Sequence, residues 1–239
     1  MSRDVAVMEY FIGTSGFAYP AWRGSFYPAK FPTKDMLSYY AERFPAVEIN
    51  NTFYGLPEVS VFEGWARETL AAFQFAIKAP QTITHRKRLK DAEEPTDEFL
   101  ARIKVLKKRL GPVLFQLPPN MKQDLPRLEA FLKHLKGRVR AAFEFRHSSW
   151  FEEPVYDCLR RHDAALCLAE AEDLPPQELV ATTDWGYLRL RRDDYTKRTL
   201  KRHAATIAEQ SWKAAYVFFK HEDTGTGPAW AADFQGLIE

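Results

Sequence analysis

A TIM-type (β/α)8 barrel is the fold this sequence predicts. Three observations carry it: eight short apolar runs alternating with helical patterns, a regular odd–even division of side chains along those runs, and a length that suits such a barrel. At 239 residues the chain can bury one large core. Residues 1–239 are therefore expected to form a single (β/α)8 barrel domain.

The apolar runs occupy residues 10–15, 46–50, 73–78, 112–117, 140–146, 164–168, 186–190 and 214–220. Helical spacing fills the intervals between them. Met36, Leu37, Tyr40 and Phe44 form one stripe, opened by Thr33. Phe99, Ile103, Leu106 and Leu110 form a second, after an N-cap at Thr96 with Asp97 and Glu98 in the first turn. Leu125, Leu128, Leu132 and Leu135 form a third, opened by Asp124 and closed by Gly137. Shorter patterns follow at Val59, Phe62 and Ala66, at Val155 and Leu159, and at Leu200, Ala204 and Ile207. A last one follows Pro228 with Trp230, Phe234 and Leu237. Residues 169–184 carry Pro175 and Pro176 and little helical spacing, so a weak or missing sixth helix is expected.

Strand–helix alternation alone leaves an open doubly wound sheet as a rival. Parity decides between the two, because successive strand residues point to opposite faces. Val47 and Ile49 oppose Glu48 and Asn50; Phe75 and Ile77 oppose Ala76 and Lys78; Phe143 and Phe145 oppose Glu144 and Arg146. Gln116, Arg189 and Lys220 fall on the same non-aliphatic parity in their own runs. An open sheet would bury these groups against apolar helices, at several kcal/mol per unpaired ion. A closed barrel gathers them at one mouth.

Composition narrows the class further. Six Trp, ten Tyr and eighteen Phe exclude a disordered chain. Lys plus Arg number 34 against 32 Asp plus Glu, too even for bulk charge to imply nucleic acid or a membrane surface. Cys158 and Cys167 form no CxxC pair, and reduced thiols are the simpler expectation. Residues 1–10 include Arg3, Asp4 and Glu9 and lack the apolar stretch of a secretory signal. No apolar run approaches the roughly 20 residues that span a bilayer. A cytoplasmic protein is expected.

Active sites of such barrels form at the C-terminal ends of the strands. Glu48, Lys78 and Glu144 are therefore the candidate catalytic residues, an ionised carboxylate serving as base and Lys78 as acid or Schiff-base nucleophile. Asn50, Gln116, Arg146, Arg189 and Lys220 are candidate substrate-binding residues, joined by Tyr54 after the second run and by His147 and Trp150 after the fifth. Substituting Glu144 by Gln or Lys78 by Met is expected to abolish turnover with stability near wild type. The alternative role for these residues is a charge network that only satisfies itself.

Residues 17–33 are long for a βα loop and dense in rings and prolines, either a lid with a stacking surface or a self-pinned plug. Gly13-Thr14-Ser15-Gly16 has neither dinucleotide-binding nor nucleophile-elbow spacing. His221-Glu222 lacks the second histidine of a zincin, and the basic run 85–90 reads first as a solvated loop. A metal set of Glu48, Glu144 and His147 has no recognisable spacing, so no metal site is assigned and the cofactor is unknown.

Several of these segments together resemble a known family. Phe-Ile-Gly-Thr-Ser-Gly-Phe at 11–17, Trp22, residues 26–28, 47–57, 75–80, 82–85 and 114–119, and Glu-Phe-Arg-His-Ser-Ser-Trp at 144–150 resemble successive motifs of the YecE-like family, the domain of unknown function numbered 72. The resemblance implies a TIM barrel and transfers no catalytic residues. It differs after the seventh run, where Arg191-Arg192 replace a His-Gly common in the family, and after the eighth, where Lys220-His221 replace an Asn pair. The chain thus resembles a branch with a more cationic rim.

The leading expectation is an enzyme doing acid/base chemistry on a small anionic substrate, such as a phosphorylated or carboxylated sugar or nucleoside-like molecule. Hydrolysis, isomerisation and elimination all fit. The rival is a nucleic-acid-binding or sensing barrel without chemistry.

Overall fold

The computed structural model describes residues 8–172, 174, 176–220 and 225–238. Eight strands follow one another: β1 (Glu9–Thr14), β2 (Ala46–Ile49), β3 (Gln74–Lys78), β4 (Leu110–Gln116), β5 (Ala141–Glu144), β6 (Ala164–Glu170), β7 (Trp185–Leu190) and β8 (Ala214–Phe219). Seven α-helices lie between or after them among the described residues: α1 (Met36–Ala41), α2 (Val59–Glu68), α3 (Glu93–Ile103), α4 (Leu125–Leu135), α5 (Glu153–Arg161), α6 (Lys197–Ala208) and α7 (Thr226–Ile238). No described residue between β6 and β7 is helical, as the proline pair suggested. Pro175, Arg3, Asp4, His221 and Glu222 lie outside the described residues.

Every neighbouring pair of strands is parallel, in the order β1-β8-β7-β6-β5-β4-β3-β2. The sheet curls until its two ends meet, and the Gly16 N–H donates to the Glu48 carbonyl at 2.7 Å. Just below that contact Tyr40 of α1 fills the seam. Its hydroxyl accepts the Thr14 backbone N–H at 2.7 Å and donates to the Ala46 carbonyl at 3.0 Å. A single phenol thus stands in for ladder hydrogen bonds between β1 and β2. Gly13 makes room for it, since a Cβ there would fall 1.9 Å from the Ala46 oxygen. The barrel is (β/α)8 in type.

Two apolar layers result from the alternation along each strand. Val47, Phe75, Val113, Phe143 and Val217 pack outward into the core shared with the helices. Ala46, Ala76, Leu114, Ala142, Cys167 and Tyr187 fill the barrel itself. The two cysteines are unbonded, Cys158 in the outer layer and Cys167 in the inner one. At the N-terminal end Phe11 stacks on Tyr216 at 4.7 Å, and Arg140 donates to the Tyr216 hydroxyl at 2.9 Å.

Local signals account for both ends of α4 and, through a Thr196–Thr199 capping box, for the start of α6. The Asp124 carboxylate accepts the Arg127 N–H at 3.1 Å to open α4, and Gly137 follows its end with φ of 68°. One boundary departs from expectation. Helix α3 begins at Glu93, not beyond Thr96, and Thr96 is a buried residue inside it. Pro95 sits in the first turn, where its missing N–H costs nothing, and Glu93 and Glu94 take the acidic positions at the positive end of the helix.

The ring-rich segment after β1 packs inward. Trp22 and Tyr27 are fully buried, and Phe26 and Phe31 meet Tyr39 of α1 at 5.7 and 4.8 Å. No helix among the described residues is long and apolar enough to cross a membrane.

Candidate active site

Strand parity places the polar residues where the strands end at the C-terminal mouth. Glu48 ends the inward face of β2, Lys78 that of β3, Gln116 that of β4, Glu144 that of β5 and Arg189 that of β7. At their centre lies Arg189, buried and held by both glutamates. Its Nε donates to Glu48 Oε2 at 2.9 Å and its Nη2 to Glu48 Oε1 at 2.8 Å, while Nη1 donates to Glu144 Oε2. This is the planar two-pronged grip that a guanidinium offers and an ammonium does not.

Each carboxylate is saturated from other sides too. Glu48 also accepts from Ser15 Oγ at 2.7 Å, Asn50 Nδ2 at 3.1 Å and the Tyr187 hydroxyl at 2.8 Å. Glu144 also accepts from Gln116 Nε2 at 2.6 Å and Arg146 Nε at 2.9 Å. Burial by itself would raise both glutamate pKa values. For Glu48 the charge and hydrogen bonds of Arg189 prevail and hold it below the usual carboxylate range. For Glu144 the charges of Arg189, Arg146 and Arg191 do the same, and more strongly. Both are ionised acceptors with their lone pairs in use.

Lys78 is treated differently. Its Nζ rests over the face of the Phe53 ring, 4.0 Å from the centroid. Burial, then the repulsion of Arg189, lowers its pKa to about 8, with Glu144 and Glu48 pulling the other way. His85 packs near-perpendicular to the same ring, centroids 4.8 Å apart at 84°. Burial, Lys78 and Arg146 bring the imidazole down to about 4, so it is neutral at pH 7. Arg191, just past β7, is likewise desolvated and feels the charges of Arg189, Glu144 and Arg146.

The structure therefore brings Glu48, Asn50, Lys78, Gln116, Glu144, Arg146 and Arg189 together. Lys220 follows β8 on the inward parity, half-buried, its N–H donating to the Leu190 carbonyl at 3.0 Å. Three other residues sit apart. Tyr54 is 78% exposed, with its ring edge-on to Phe53 at 5.1 Å. His147 accepts the Ser149 N–H at 3.2 Å and so serves its own turn. Trp150 lies in the outer core, its indole N–H donating to the Met121 carbonyl at 2.8 Å and its ring stacked on Phe145. No group of three or more His, Cys, Asp or Glu residues that could hold a metal converges among the described residues, and Glu48, Glu144 and His147 form no such set.

The sequence assigns no site role to Ser15, Phe53, His85 or Tyr187, and places Arg191 only in a cationic rim after the seventh run. Tyr187 shares the inward parity of Arg189 and was legible on that ground. His85 lies on the single π-helical turn after β3 (Thr82–Arg86), where no strand alternation points the way.

The sequence–family comparison decides the relationship. Residues 11–239 match the family described as "Protein of unknown function DUF72". The chain belongs to the DUF72 family. It is similar to the UPF0759 protein YunF of Bacillus subtilis, 32% identical over 155 residues that cover 62% of this chain and 54% of that protein. To the UPF0759 protein YecE of Escherichia coli K12 it is 37% identical over 116 residues, 48% of this chain and 43% of that one. The match thus spans about half the length of these curated relatives. Among solved structures, a DUF72 family protein from Thermotoga maritima superposes with a TM-score of 0.83 at 28% identity, covering 96% of this chain and 99% of that one. Another DUF72 family protein, from Enterococcus faecalis, gives 0.78 at 17% identity, with 96% and 95% covered, and shows the fold alone. In this DUF72 chain the barrel and its polar mouth are both in place.

Proposed function

We propose that the C-terminal mouth is an active site that binds a small anionic substrate and moves a proton on it. The phosphorylated or carboxylated sugars and nucleoside-like molecules fit its chemistry. The observation that carries this reading is how the carboxylates are used: Glu48 and Glu144 both bind Arg189, and the cations Lys78, Arg146 and Arg191 gather at the same opening, where Lys220 follows β8. Partly desolvated cations in a fixed frame favour carboxylate and phosphate oxygens.

In this reading Arg146, Arg191 and Lys220 hold the anion, while Asn50, Gln116 and Arg189 form the floor. Glu48 and Glu144 are positioning residues that act through Arg189, which moves the expected base role away from them. Lys78, with a pKa of about 8, is the group able to give or take a proton near neutral pH. Neutral His85 is its neighbour for relaying that proton.

Titration of inorganic phosphate by calorimetry tests the binding half. Saturable binding is expected, weakened about tenfold or more in Arg146→Met and Arg191→Met and unchanged in Lys107→Met at the far end of the barrel. Equal affinity in all three variants would remove the anion site. A single-stranded oligonucleotide in the same titration tests the rival: tight binding that falls steeply with salt would favour a nucleic-acid-binding barrel instead.

A further inference from the structure

Among the described residues the Lys78 ammonium makes neither a hydrogen bond nor an ion pair; the Phe53 ring is its contact. This is an odd arrangement for a cation with two carboxylates in electrostatic reach. Glu48 gives its oxygens to Ser15, Asn50, Tyr187 and Arg189. Glu144 gives its oxygens to Gln116, Arg146 and Arg189. A lysine kept to balance charge would be expected in one of those pairs. Lys78 instead has an aromatic face beneath it, like charges beside it and the opening of the barrel ahead.

Such surroundings favour the neutral amine, the form that carries the lone pair a carbonyl carbon accepts. Burial and the neighbouring arginines act in that direction and bring the amine near half-deprotonation at mildly alkaline pH. His85 packs near-perpendicular to the same Phe53 ring, and its Nδ1 lies 2.9 Å from Thr84 Oγ1. Neutral at pH 7, it adds no positive charge to those already facing the amine.

We propose that Lys78 is a covalent nucleophile that forms a Schiff base with an aldehyde or ketone bearing a carboxylate or phosphate group. The choice of an anionic carbonyl compound rests on the anion-binding reading above; the nucleophile itself rests on the isolation of Lys78. In the step, the Nζ lone pair bonds to the carbonyl carbon and the carbonyl π pair moves to oxygen, which gains a proton as nitrogen loses one. A second proton on that oxygen lets it leave as water while the nitrogen lone pair forms the C=N bond. One amine, one carbonyl and one proton thus give one protonated imine and one water. The imine then accepts the electron pair released when a proton or a carbon leaves the adjacent carbon, which places the reaction among isomerisations, eliminations and aldol-type cleavages.

Reductive trapping tests it. The full chain is incubated with glyoxylate, with glyceraldehyde 3-phosphate or with neutral propanal, reduced with borohydride, and mapped by peptide mass spectrometry. Lys78 is expected to be the main adduct with one or both anionic aldehydes, at concentrations that leave exposed Lys107 and Lys197 largely unmodified. Its labelling by them should exceed that by propanal about tenfold, and carboxylate against phosphate labelling tells which anion fits. The Lys78→Arg variant should lose the adduct. Labelling of Lys78 no greater than that of the exposed lysines overturns the Schiff base, while phosphate binding in the calorimeter stands on its own. Equal labelling of Lys78 by propanal and the anionic aldehydes keeps the nucleophile and overturns the anionic substrate class.

Discussion

Arg189 Nε and Nη2 meet the two oxygens of Glu48 at 2.9 and 2.8 Å, a paired grip across the barrel between residues 141 apart in the chain. The third guanidinium nitrogen reaches Glu144, so one arginine bridges two buried carboxylates. Removing that cation leaves both acids buried without it, the situation that makes broken internal ion pairs costly. Arg189→Met is therefore expected to lose about 3–5 kcal/mol of unfolding free energy at pH 7. Urea unfolding measures it. A loss below about 1 kcal/mol would mean that the cluster does not hold the mouth together.

The same cluster fixes how stability responds to acid. Glu48 and Glu144 both have folded pKa values held below the ordinary 4.5, Glu144 the more strongly. Groups depressed in the folded state contribute stability that is complete above the unfolded pKa and is lost as pH falls through the folded one. Unfolding free energy is thus expected to decline from about pH 5 downward. Glu144→Gln should start lower at neutral pH, by about 3 kcal/mol, and decline less on acidification. The structure here corrects the expectation of near-wild-type stability for that variant, because Glu144 is buried against Arg189. Parallel acid profiles for variant and wild type would contradict the linkage.

Barrel closure makes a separate prediction. The Tyr40 hydroxyl links the Thr14 N–H to the Ala46 carbonyl where the β1–β2 ladder is thin. Tyr40→Phe keeps the ring and takes a hydrogen bond from the Thr14 N–H, the Thr14 hydroxyl and the Ala46 carbonyl, which costs about 1–3 kcal/mol. Hydrogen exchange at the Thr14 amide should accelerate along with that loss. An unchanged Thr14 amide would show that the strands close without the phenol.

Parity explains why so much of this was readable beforehand. Val47 and Ile49 name the outer face of β2, so Glu48 and Asn50 must turn inward, and the same logic placed Lys78, Gln116, Glu144 and Arg189. Partnership was not readable, because Glu48 and Arg189 meet only once eight strands have curled the sheet shut. Turns carry no such parity. Trp150 follows Glu144 closely in sequence, yet the turn at Ser148–Trp150 sends its indole outward to Met121. His85 reaches the mouth from a loop, where side-chain direction has no fixed period. The start of α3 was missed because Thr96 is a good cap by type, while Glu93, Glu94 and Pro95 supply an equally good first turn.

Lys78 gives the sharpest test, because its sign is opposite to that of the acids. Its folded pKa is about 8 against an ordinary 10.5, lowered by burial and Arg189, with Arg146 adding to the repulsion and Glu144 and Glu48 opposing it. His85, neutral at these pH values, adds no charge of its own. Between those two pH values the unfolded chain binds more protons at this position, so the contribution to stability rises with pH across that window. Below pH 8 the folded protein carries a charged lysine in an unfavourable place. Lys78→Met removes that burden and is expected to be more stable than wild type at pH 7 by roughly 1–3 kcal/mol. The advantage should shrink above pH 8 and vanish near pH 10.5. Exposed Lys107→Met should show no such dependence. If Lys78→Met is instead the less stable protein at pH 7, Lys78 belongs to the structural charge cluster and the amine is not held in reserve for chemistry.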